Sequence, residues 1–215
     1  MRVRAVFFDL DGTLVRYAGV AYESSWGALG LAAGVGPLWD ALLQQYRGQP
    51  ERYPEWVREN ARHLKGIPVA QVAAKIFPPP YAPGVPETVA ELRRMGLLLG
   101  IVSSGVSLVA ARVCEELGLD FYVANELLVA DGRFTGEAIV RVGLNDKLAV
   151  VEAKARELGV DLAELAFVGD HVNDVPVLAA VGVGIAYAPK DPAVAAAARF
   201  VTHDFREIPA LLRRS

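Results

Sequence analysis

The stretch Phe7-Phe8-Asp9-Leu10-Asp11-Gly12-Thr13 decides how the rest of the chain is read. The apolar run ending in Phe8 stops abruptly at two carboxylates separated by one residue. Strands buried on both faces read as short apolar runs, and in open parallel sheets ligands collect beyond the carboxyl ends of the strands. Asp9 and Asp11 are therefore placed at a binding edge. Their charges repel unless a cation or a shared proton relieves them, and Gly12 lets the chain turn without a side chain in the way. The plainer alternative is a pair of Asp residues that only cap the turn.

Two further polar insertions follow apolar segments. Leu97 to Val102 runs into Ser103-Ser104-Gly105-Val106-Ser107, and Leu165-Ala166-Phe167-Val168 runs into Gly169-Asp170-His171-Val172-Asn173-Asp174. Between them, Asn145 is placed to N-cap a helix over Asp146 to Leu158 that Gly159 would end. Lys147 falls in the first turn of that helix, where its charge opposes the positive end of the macrodipole, so a negative group is expected against it.

Helix and strand signals alternate from Pro86 onward: helix to Met95, strand Leu97 to Ser103, helix Ser107 to Leu117, strand Leu165 to Gly169, helix near Asp174 to Ala180, strand Val183 to Tyr187. Asp191-Pro192 reads as cap and first turn of a helix over Ala193 to Ala198. An Asp131-Gly132 turn flanked by Leu127-Leu128-Val129 and Phe134 to Val140 signals an antiparallel hairpin. The class expected is α/β, a doubly wound, mostly parallel sheet. Between Val15 and Pro78-Pro79-Pro80 the pattern turns helical, polar and aromatic, with Pro punctuation at its end. Residues 1–15 and 81–215 are then a core, and 16–80 a small inserted helical cap.

Composition bounds the function. A chain of 215 residues suits a core with one insertion, and a net charge of −3 with scattered Arg and Lys leaves no footprint for nucleic acid or anionic membrane. No apolar run approaches the roughly 18 residues of a membrane span, and Asp9 and Asp11 fall too early for a signal peptide. A soluble, cytoplasmic protein is expected. Cys114, the single cysteine, lies in a helical stretch and reads as a small apolar side chain. The pattern carries no signal for oligomeric state.

Asp-x-Asp-Gly-Thr, a strand-ending Ser, a Lys and Gly-Asp-x-x-Asn-Asp, in that order, resemble the haloacid dehalogenase superfamily, and most nearly its phosphoserine phosphatase-like members. Ala124-Asn125-Glu126-Leu127, Asp131 to Gly136 and Val181 to Ala186 extend the resemblance over most of the chain. It implies a Mg²⁺-dependent phosphomonoester hydrolase for a small phosphorylated substrate. Asp9 would be the nucleophile that forms an aspartyl-phosphate, and Asp11 the general acid and then base, its pKa raised by neighbouring anions and burial. Asp9, Asp170 and a backbone carbonyl from Asp11 would hold Mg²⁺, with Asp174 touching the ion or holding its waters. Ser103 and Lys147 would bind the phosphoryl group, helped by Thr13, Ser104, Gly105 and Asn173.

Ser104 stands where the phosphoserine type carries Gly. His171 lines the leaving-group side or is simply solvated. By the same resemblance, Glu23, Arg58 and Asn60 are the cap residues set to select the substrate, Asn60 standing where the family pattern expects Arg. The cap's three tryptophans, Trp26, Trp39 and Trp56, either hold a small helical unit together or mark a leaving group less polar than serine. A receiver-like phosphorylation switch and a non-catalytic binder of phosphorylated ligands are the alternatives from other classes.

Overall fold

The computed structural model describes residues 3–214. Its centre is β1 (Ala5–Phe8), whose four residues are completely buried. Side chains alternate across a strand, so Val6 and Phe8 enter one hydrophobic core while Ala5 and Phe7 enter another on the opposite face. β1 pairs in parallel with β2 (Leu98–Val106) and β5 (Leu165–Gly169). Phe8 lies beside both Ile101 and Val168, so Asp9, Ser103 and Asp170 come together at the same edge of the sheet. With β3 (Phe121–Ala130), β4 (Arg133–Ile139), β6 (Val183–Tyr187) and β7 (Phe200–Thr202) the order is β4-β3-β2-β1-β5-β6-β7, antiparallel only between β3 and β4.

Between β1 and β2 the chain forms α1 (Ser25–Ala33), α2 (Gly36–Tyr46), α3 (Tyr53–His63) and α4 (Val69–Ile76). The Ser24 hydroxyl accepts from Gly27 N at 3.1 Å and caps α1. The two ends of this segment lie side by side, Arg16 N donating to Pro80 O at 2.9 Å and Ala82 N to Leu14 O at 3.0 Å. The flanking layers are α5 (Val85–Arg94), α6 (Ser107–Leu117) and α10 (Ile208–Arg213) on the Phe8 side, and α7 (Lys147–Glu157), α8 (Val175–Ala180) and α9 (Pro192–Ala197) on the Phe7 side. Helices on both faces make the sheet doubly wound, as expected. No helix among the described residues is long and apolar enough to cross a membrane.

Asp131 and Gly132 both adopt positive φ, 50° and 72°, as the tight two-residue hairpin turn requires. The hairpin goes further than its sequence signal implied. β4 turns back onto the inserted helices, with Gly66 N donating to Phe134 O at 2.8 Å and Val69 N to Gly132 O at 2.9 Å. Two other expectations shift. β2 does not stop at Ser103 but continues through Val106. Asn145 is not the cap of α7, which begins at Lys147 with Asp146 before it and no side-chain cap.

Phe7 is fully buried and meets Phe121 edge-on, with centroids 4.8 Å apart. Phe7→Ala is expected to cost about 3–5 kcal/mol, the usual range for emptying a core aromatic site. A lowered denaturant midpoint at unchanged slope is the measurement that checks it.

Candidate active site

Asp9 is buried at the end of β1, with Oδ1 3.0 Å from the Lys147 ammonium. The same ammonium lies 2.6 Å from Asp174 Oδ1. Asp174 Oδ2 accepts the backbone N–H groups of Asp170 and His171 at 3.0 and 3.1 Å. One carboxylate thus shapes the turn after β5 and anchors Lys147 at once. This is the negative partner that Lys147 required in the first turn of α7.

Asp170 Oδ1 accepts from the Thr13 hydroxyl at 3.0 Å, inside the protein. Gly12 makes that approach feasible. Its φ is +82°, and a Cβ there would lie 2.2 Å from Asp170 Oδ2. Asp9, Asp170 and Asp174 each present an oxygen within 4.8 Å of the others. The Asp11 carboxylate is not part of that trio. Its two oxygens accept from Ser25 N and Ser25 Oγ at 2.8 and 2.7 Å.

Three buried carboxylates gather near one buried ammonium, and the proton affinities of Asp170 and Asp174 are raised. Burial, with Asp9 and Asp174 adding to it, pushes Asp170 up to about 8. Burial likewise pushes Asp11 up to about 7, the Ser25 hydrogen bonds opposing the shift and Asp9 reinforcing it. Asp174 is raised chiefly by burial, against the pull of Lys147. Burial works to lower Lys147, yet Asp174 and Asp9 outweigh it and hold the ammonium above its ordinary value. An all-oxygen donor set with excess negative charge suits a hard divalent cation such as Mg²⁺.

Ser103 is buried beside this cluster, and its Oγ accepts from Gly105 N at 3.0 Å. Gly105 has no room for a side chain, because a Cβ would lie 2.7 Å from Asp11 Oδ2. The Ser104 carbonyl accepts from Trp26 Nε1 at 3.0 Å, the Tyr53 hydroxyl at 2.5 Å and Asn125 Nδ2 at 2.8 Å. Asn125 also takes Arg141 N and Val142 N on its Oδ1, at 2.8 and 3.0 Å. Asn173 Nδ2 reaches Ser104 Oγ at 3.3 Å. Ser25, Trp26, Tyr53 and Asn125 were not singled out from the sequence as site residues. The signal available for Asn125 is an amide inside a mostly apolar strand, and for Ser25 a second serine at a helix start.

The expected cap selectors separate. Glu23 binds Lys190 Nζ at 2.7 Å, and with Tyr22 it adopts positive φ, 50° and 57°. The Tyr22 ring meets His171 edge-on at 5.6 Å, so His171 faces the inserted segment. Asn60 is buried within α3, its Nδ2 donating to Trp56 O at 2.8 Å. Arg58 is exposed on α3. Two residues along a helix turn the side chain by about 200°, so Arg58 cannot share the inner face with Trp56 and Asn60.

A family model of haloacid dehalogenase-like hydrolases matches residues 6–179, and the chain belongs to that family. Curated relatives include phosphoserine phosphatases. That of Archaeoglobus fulgidus is 34% identical over 190 residues, 87% of this chain and 53% of that protein, so the chain spans about half its length. That of Streptococcus thermophilus is 33% identical over 187 residues, 85% of this chain and 82% of the relative. A substrate-bound phosphoserine phosphatase complex superposes with a TM-score of 0.80 over 98% of both chains at 27% identity. A phospho-aspartyl intermediate analogue of phosphoserine phosphatase gives 0.79 over 98% of this chain and 99% of its own, also at 27% identity.

Removing the ammonium tests the electrostatics directly. Lys147→Ala leaves Asp9 and Asp174 buried without a counter-charge and is expected to lower unfolding free energy by about 3–5 kcal/mol. Adding Asp174→Asn should recover part of that loss, seen as non-additivity in a double-mutant cycle of denaturant melts.

Proposed function

We propose that this chain hydrolyses phosphate monoesters with Mg²⁺ through a phosphorylated Asp9. The observation that carries the reading is the pair at the end of β1. Asp9 Oδ1 lies 3.0 Å from the Lys147 ammonium, while Asp11 is pushed by burial to about 7 and so can carry a proton near neutral pH. A phosphorylation switch or a passive phosphate binder has no use for that second, protonatable carboxyl.

Phosphate monoesters hydrolyse extremely slowly unaided, and a covalent intermediate divides the barrier in two. An Asp9 oxygen forms the bond to phosphorus as the ester P–O bond breaks, and Asp11 delivers its proton to the departing alcohol oxygen. Asp11, now a carboxylate, then takes a proton from the water that attacks the aspartyl-phosphate. Inorganic phosphate leaves and both groups return to their starting states. Ser25, bonded to both oxygens of Asp11, orients that carboxyl through both steps. The Gly105 N–H occupies a lone pair of Ser103 Oγ and leaves its proton free for a phosphoryl oxygen. Lys147 adds a full positive charge beside the nucleophile.

Asp9, Asp170 and the Asp11 carbonyl would hold Mg²⁺. Asp174, both of whose oxygens are already engaged, would hold the ion's waters. When bound, the ion supplies charge neutralisation between the carboxylates and the phosphoryl oxygens. The substrate is a small phosphorylated molecule. Phosphoserine, after which the relatives are named, shares with every phosphate monoester the end that these residues address. The inserted helices of residues 16–80 act as a cap over that end and the alcohol attached to it.

Asp9→Asn is expected to lower Mg²⁺-dependent phosphate release by more than about a thousandfold, about 4 kcal/mol of barrier. Near wild-type release would remove Asp9 from the reaction. Mg²⁺ is expected to raise the melting temperature of the chelator-treated protein by mass action. Asp170→Asn should abolish that increase while preserving the fold by circular dichroism, and an undiminished increase would take Asp170 out of the ion's site.

A further inference from the structure

The two cap donors on the Ser104 carbonyl, Trp26 Nε1 and the Tyr53 hydroxyl, bring an aromatic wall up to the residue next to Ser103. Trp56 completes the wall, 5.3 Å from each of the Trp26 and Tyr53 rings. The wall therefore borders the backbone that carries Ser103.

The wall is uncharged. Apart from aromatic residues, the buried polar side chains of the described inserted segment are Ser25 and Asn60, and Ser25 is committed to Asp11. The charges nearby are engaged or turned outward. Glu23 pairs with Lys190, Arg52 with Glu55, Arg16 donates to Gly12 O, and Arg58 is exposed. A charged group entering here would lose its hydration without gaining a partner, a loss that apolar contact does not recover.

Two polar atoms on the inner face of α3 have no hydrogen-bond partner: Trp56 Nε1, a donor, and Asn60 Oδ1, an acceptor. Trp56 is 8% exposed and Asn60 fully buried, one helical turn apart. Native proteins leave few such atoms unsatisfied, and those left commonly await a ligand or an ordered water.

On the phosphatase reading above, we infer that the substrate's leaving group is an uncharged alcohol with an apolar face. It packs on Trp26, Tyr53 and Trp56, and Trp56 Nε1 and Asn60 Oδ1 are the specificity-determining atoms for its polar groups. A zwitterionic amino-acid alcohol is then a poor substrate for this chain.

The test is phosphate release by the full chain at fixed Mg²⁺ from benzyl phosphate, glycerol 1-phosphate and O-phosphoserine. Benzyl alcohol is no better a leaving group than the serine hydroxyl, so a preference for its ester reports the pocket. We expect kcat/KM for benzyl phosphate to exceed that for O-phosphoserine by about tenfold or more, the scale on which a mismatched pocket discriminates. Trp56→Phe, which keeps the ring and removes the donor, should raise KM for glycerol 1-phosphate with kcat changed less than about twofold. Asn60→Arg should shift the ratio toward O-phosphoserine. An O-phosphoserine preference in the wild type would overturn the inference and leave the phosphatase reading intact, and so would variants that slow all three esters in proportion. Release from none of the three would overturn the phosphatase reading itself, and this inference with it.

Discussion

The contact between the Lys147 ammonium and the carboxylates of Asp9 and Asp174 joins three distant pieces of chain. These are the end of β1, the first residue of α7 and the turn after β5. Lys147 is the one basic side chain among the fully buried residues described, and it sits among three acids. A buried ion pair seldom adds net stability over a well-packed apolar substitute, because desolvation consumes the Coulomb gain. Its presence here is therefore better explained by what it prepares. It holds Asp9 and Asp174 together in a buried position, with an oxygen of Asp170 within 4.8 Å of both.

The rest of the site is arranged around that cluster by close backbone approach. Gly12 gives Asp170 its place, Gly105 gives Asp11 its place, and in each case a methyl group would collide with a carboxylate oxygen. Asn125 spans from the Ser104 carbonyl to the backbone of Arg141 and Val142, so the end of β2 is tied to the connection that follows the hairpin. Because β4 also bonds to the backbone near Gly66 and Val69, the inserted helices are held by the hairpin as well as by their own two connections to the core. The inserted helices and the segment around Ser104 are thus linked through Tyr53, Trp26 and Asn125. The placement of Trp26 and Tyr53 is tied to the position of Ser104.

Much of this was legible from residue order alone. Short apolar runs ending in Asp, Ser or Gly-Asp are what strands buried on both faces and opening at one edge look like, and the register of β1 with β2 and β5 brings those ends together. The need for a negative partner at Lys147 followed from the macrodipole. The hairpin turn was legible because Asp-Gly meets a positive-φ requirement that few dipeptides satisfy. The cap was less legible. Arg58 and Asn60 are two residues apart in sequence yet on different sides of α3, and the pairing of Glu23 with Lys190 links residues 167 apart.

The sequence by itself determined the sheet, its order of motifs and the chemical types available at its carboxyl edge, because these depend on local periodicity and on turn residues with strict backbone demands. Only the tertiary structure decided which oxygens remain free, that Ser25 holds Asp11, and that the face over Ser104 is aromatic and uncharged. Those properties arise from contacts between segments far apart in the chain. Burial and charge balance at a point in space are sums over all such segments, and no single stretch of sequence contains them.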